Sequence, residues 1–142
     1  MSTHLRHEWI EEFEHHLYVW RIPPEPSTVE LRRALATIQK WIRELDEPYG
    51  WINDPRALRV TTIAVERKML ADHLRLVEPY SIRHCRGMAT IVNGPVVRGI
   101  MTAINWLYTY PFPVTCCATE DAALTWVRAQ LLAPHYTRHP PA

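Results

Sequence analysis

Four glycines and three cysteines are few for 142 residues, and two of the cysteines are adjacent. An odd number of thiols with an adjacent pair does not make a disulfide framework, so the chain is expected to fold without covalent staples, as in a reducing compartment. An excess of one charge is also missing. Sixteen basic and fifteen acidic residues leave a formal charge of +1, which excludes a broad polyanion-binding surface and with it a nucleic-acid partner. No run approaches the ~20 apolar residues of a membrane span, and the first residues form no apolar signal core. A cytoplasmic chain without a membrane span is the expectation. Metal-binding spacing is absent as well. The adjacent His15 and His16 are expected to diverge on a strand, His4 and His7 differ in parity, and His73 has no His or Cys four residues on. No metal site and no cofactor is expected.

What is present is an ordinary apolar content of 47% and twelve prolines that punctuate it. The chain is long enough for one domain, taken here as residues 1–133 with a flexible, Pro-rich tail at 134–142. Its organising stretch runs from Cys85 to Leu107. Met88 to Val92 is apolar and rich in β-branched residues, as expected of a strand covered on both faces. Asn93-Gly94 ends it, one of the two capping a helix that starts at Pro95. Val96, Val97, Ile100, Met101, Ile104 and Leu107 then recur at helical spacing. Gly99 and Ala103, four apart, predict close approach of that helix to a neighbour.

The same units extend in both directions. His4 to Phe13 reads as a strand, although Trp9 and Phe13 are also four apart as in a helix. His15 to Ile22 is a strand of alternating aromatic and aliphatic residues, and a hairpin turn is expected near Glu11 to Glu14. Ser27 and Glu30 form a capping box for a helix with Leu31, Leu35, Ile38, Ile42 and Leu45 on its apolar stripe. Tyr49 to Asp54 is a strand. Thr61 or Thr62 opens a helix with Ile63, Val65, Met69, Leu70, Leu74 and Val77 inward, which should end before Pro79. Val114 to Ala118 is a short buried strand, and Thr119-Glu120-Asp121 starts a last helix bearing Ala123, Leu124, Trp126, Val127 and Leu131. The order β-β-α-β-α-β-α-β-α predicts an α/β fold, with a mixed, mostly parallel sheet, an N-terminal antiparallel hairpin and about four helices.

This order, with the helix Glu66 to His73, the strand Arg86 to Val92, the Pro95-Val96-Val97-Arg98-Gly99 helix start, Asn105-Trp106, Pro113-Val114 and an acidic helix start followed by Trp126, resembles the STAS domain. Bacterial anti-sigma factor antagonists and the cytoplasmic part of sulfate transporters carry that fold, and the likeness is to its small stand-alone bacterial proteins. It covers residues 50 to 131 by motif and the N-terminal third by pattern. It implies a non-enzymatic module in bacterial signalling or regulation, acting through a protein partner or as a homodimer. Antagonists of this family carry an Asp-Ser-Ser-Gly motif whose serine is phosphorylated. Asp54 matches the strand-end acid, but no serine or glycine follows it, and Thr61 or Thr62 is the substitute acceptor at longer spacing.

The candidate partner- or anion-binding residues are therefore Asp54, Thr61, Thr62, Arg86, Asn93, Gly94 and Arg98. The backbone N–H groups after Asn93-Gly94, with Arg98 one turn inside and Arg86 near the same edge, can hold a phosphate or carboxylate. Each also has a plainer reading, as a helix cap or a surface arginine. The cysteines read as small buried hydrophobes. The aromatics Trp106, Tyr108, Tyr110 and Phe112 form either a core boundary or a partner surface. No catalytic residue is assigned, because no nucleophile has a base and an orienting third group. The rival to a protein-docking module is one that binds a lipid or nucleotide in the groove between sheet and helices.

Overall fold

Side chains alternate across a strand, so each strand divides its residues between two faces of the sheet. Here the two sets differ in size. In β2 (Leu17–Arg21) Tyr18 and Trp20 share one face and Leu17 and Val19 the other, and in β3 (Tyr49–Asp54) Tyr49 and Trp51 oppose Gly50 and Ile52. In β4 (Cys85–Ile91) Met88 lies on the aromatic face, while Ala89 and Ile91 join the aliphatic one. The computed structural model describes residues 5–59 and 64–133. In it these strands form one five-stranded sheet of order β1-β2-β3-β4-β5, with β1 (Ile10–Glu14) antiparallel to β2 and all later pairs parallel through to β5 (Val114–Cys117). The chain is α/β, with four helices and a mixed sheet, as its element order predicts.

Sequential strand order has a geometric consequence. Each parallel crossover steps the same way across the sheet and is right-handed, so the crossover helices fall on one face. α1 (Thr28–Glu44), α2 (Ala64–His84) and α3 (Pro95–Leu107) line the aromatic face, packed side by side, and α4 (Glu120–Leu132) alone covers β3, β4 and β5 on the other. α1 carries the expected capping box between Ser27 and Glu30 and buries its stripe, with Ala34 and Trp41 added. Thr119 caps α4, which buries Ala123, Leu124 and Val127. No described helix is long and apolar enough to cross a membrane.

Four local expectations are corrected. The hairpin turns at His15-His16, not at Glu11 to Glu14, and regular pairing in β1 begins only at Ile10; His16 takes φ +56°, a left-handed conformation in which His is enriched. α2 continues through Pro79 to His84, because the hydrogen bond that Pro79 removes belongs to the carbonyl of Arg75, on an exposed part of the helix open to water. β4 consequently begins at Cys85, directly after α2. β5 is not a buried strand: it is a sheet edge, with Val114 and Cys116 exposed and Cys117 half-buried. The tail at 134–142 lies outside the described residues.

The glycines show what holds α4 in place. A Cβ at Gly50 would lie 2.3 Å from Val127 Cγ1, and one at Gly87 would lie 2.9 Å from the Trp126 ring. Both glycines exist so that α4 can seat on the sheet. Gly99 does not serve close approach as its spacing predicts; it is exposed and a Cβ there meets nothing within 4 Å. Urea denaturation should therefore separate the two cases. Gly50→Ala is expected to destabilise the fold by about 1–3 kcal/mol through overpacking. Gly99→Ala is expected to stabilise it by about 0.5–1 kcal/mol, the ordinary Gly-to-Ala gain inside a helix.

Candidate functional site

Parallel strands bring their C-terminal ends to one edge of the sheet, where ligands of α/β folds are commonly bound. Asp54 ends β3 there, and Asn93 and Gly94 follow β4 at the same edge, so the topology does bring these expected residues to one side. Their chemistry differs. Asp54 is buried and fully engaged: it accepts from Arg21 Nη1 at 2.9 Å and from Arg56 Nε and Nη2 at 2.8 and 3.0 Å, and Arg21 also reaches Glu120 Oε1 at 2.6 Å. Burial works to raise the Asp54 carboxyl, but the hydrogen bonds and charges of Arg56 and Arg21 outweigh it and hold its pKa below the usual carboxylate value. This network ties β2, β3 and the start of α4 together.

Gly94 is the N-cap of α3 at φ +130°, a conformation that favours glycine, and no side chain caps that helix start. Asn93 and Arg98 are exposed. Arg86 is not near the same edge: it is the second residue of β4, its Nη1 donating to the Arg83 carbonyl, whereas Arg98 lies in the first turn of the helix beyond the strand's far end. The seven residues of β4, a length of roughly 20 Å, separate the two ends. Thr61 and Thr62 lie outside the described residues.

A further feature is a cavity of about 140 Å³ between the aromatic face and the three helices above it. Trp20, Trp51 and Met88 line it from the sheet, Ile38 from α1, Leu74 from α2 and Ile104 from α3. It extends from Tyr49 and Cys85 at one end to Pro55 and Leu58 at the other. The bulk of Tyr18, Trp20, Trp51 and Trp41, stacked edge-on or tilted at centroid distances of 4.8 to 6.3 Å, props α1 away from the sheet. Tyr110 and Phe112, partly buried in a run of edge-on aromatic contacts that begins at Tyr108, complete the lining. Of the aromatics considered as a partner surface, Trp106 alone stands clear, 85% exposed.

Few polar groups reach this cavity. Asn53 accepts from Trp51 Nε1 at 2.8 Å and donates to Thr90 Oγ1 at 3.3 Å. The buried indole N–H of Trp20 has no hydrogen-bond partner among the described residues. His73 lies in the wall with Nδ1 3.0 Å from Gln39 Nε2, and burial pushes its imidazole down to about 4, so it is neutral at physiological pH. Cys85 is buried as expected, and burial pushes its thiol up to about 12; Cys116 departs from the expected burial because β5 is an edge. The groove between sheet and helices is the place the sequence offers for a small ligand, but its lining residues are not named from the sequence. The signal that would have found them is parity: Trp20, Trp51 and Asn53 share one face of adjacent strands.

Comparison with protein-family models, curated proteins and solved structures finds no match for this chain.

His73 makes the domain acid-sensitive in a defined window. Its folded pKa lies below the ordinary 6.5, so the unfolded chain binds the proton more readily and stability rises with pH between about 4 and 6.5. Denaturation midpoints measured across that range should fall toward acid by an amount equivalent to about 3 kcal/mol at most, and His73→Gln should flatten that limb.

Proposed function

We propose that this domain is a non-enzymatic binding module whose cavity takes a small apolar molecule bearing an oxygen acceptor, a single ring or a short acyl chain. The observation that carries the reading is the roughly 140 Å³ apolar space between the aromatic sheet face and α1, α2 and α3. A dry apolar cavity of about 150 Å³ accommodates benzene, which sets the size of the occupant. The lining is apolar with a few placed polar groups, the usual make-up of a small-molecule site. The unpartnered Trp20 N–H supports an acceptor on the ligand, since an unsatisfied buried donor is costly and a ligand oxygen relieves it. Neutral His73 adds no charge to the wall. A binding role over a catalytic one is supported by the Cys85 thiol, which burial keeps protonated and unreactive. The STAS-like order of elements supports a module of this kind in a bacterial regulatory setting.

A second reading, docking of a protein partner or a second copy, rests on Trp106, exposed beside the exposed Leu107 at the end of α3. Trp106→Ala should then abolish any dimer seen by sedimentation; a monomer in both chains removes the homodimeric form of this reading.

The ligand reading is tested by native mass spectrometry of freshly purified protein and by thermal shift with toluene and octanoate. A co-purifying small mass, or a raised midpoint with either probe, is expected. Leu74→Trp, which fills the cavity, should remove the shift while leaving circular dichroism unchanged. No bound mass and no shift with either probe would contradict the proposal.

A further inference from the structure

The turn at His15-His16 gathers metal-ligating groups at the edge of the sheet opposite Asp54. Adjacent residues on a strand would point apart, but the left-handed backbone of His16 folds the two imidazoles onto each other, with ring centroids 4.0 Å apart. Glu12, the last β1 residue before the bulge, turns its carboxylate to the same point: candidate ligand atoms of Glu12, His15 and His16 all lie within 4.8 Å of one another. Glu47, from the connection between α1 and β3, lies at the other ring nitrogen of His16 and pairs with both histidines. Its Oε2 lies 3.5 Å from His15 Nε2 and in direct contact with His16 Nε2.

We propose that Glu12, His15 and His16 form a site for a divalent transition-metal ion of the zinc type, with the fourth position left to water. Two imidazoles and a carboxylate suit zinc, and ligand bonds of about 2.0–2.2 Å in a tetrahedron place neighbouring donors roughly 3.4 Å apart. The His16 Nδ1–Glu12 separation of 3.7 Å is close to that spacing. Exposure is one-sided: the His15 side chain is 80% exposed and that of His16 only 9%, so an ion reaches a site with a fixed back wall and an open front. His16 is the one non-glycine residue at positive φ among the described residues, strain of the kind found where a side chain must be aimed.

The test is calorimetric titration of the untagged, chelator-treated chain with zinc chloride, alongside His15→Ala and Glu12→Gln. Both positions are exposed, so the metal-free melting temperature of each variant reports whether its fold is intact. One zinc per chain is expected, bound at least about ten-fold more weakly by either variant. Equal affinity in wild type and His15→Ala would place the zinc on other histidines and overturn the site. So would the absence of saturable binding at millimolar zinc, which would leave these groups as plain ion pairs.

Discussion

One sheet with two unlike faces governs this molecule. Because the strands follow in sequence order, a single helix covers one face and three cover the other. Small and aliphatic side chains on the first face, with glycine at Gly50 and Gly87, let α4 come close enough for side chains to interlock with the backbone. Indole and phenol rings on the second face hold α1, α2 and α3 at a distance that their own side chains do not completely fill. Close packing is the rule in protein interiors. A cavity that persists opposite a tightly seated helix is therefore a property of which residues occupy which parity, and it locates the proposed binding space.

The polar chemistry is confined to the two ends of the strands. At the C-terminal ends Asp54 is neutralised by Arg21 and Arg56 and linked to Glu120, which fastens α4 to the hairpin. At the N-terminal ends the histidine turn meets Glu12 and Glu47. Between them the interior carries few ionisable groups, and burial holds His73 and Cys85 in their neutral forms. The division leaves the cavity largely apolar, with Glu66 the carboxylate in its lining.

Element types were legible because period-2 and period-3.6 patterns are local, and caps such as Ser27-Glu30 and Thr119 are read directly from the chain. What escaped depends on context. Pro79 reads as a stop, yet solvent on that side of α2 satisfies the carbonyl it frees. Val114 to Cys117 reads as interior, yet its place at the sheet edge leaves it half open. Arg86 is the second residue of β4 and Arg98 lies in the first turn of α3, so the length of the strand separates them. The His15-His16 cluster depends on one residue's left-handed backbone and on Glu47, 31 residues away from His16, and neither leaves a spacing signal.

The central claim is that the aromatic face encloses space and the aliphatic face does not. Crystals pressurised with xenon test it directly, since xenon enters dry apolar cavities of this size. The account predicts a xenon peak between Trp20, Leu74 and Ile104 and none between α4 and the sheet. An empty aromatic side, or xenon seated beneath α4 against Gly50, would contradict it.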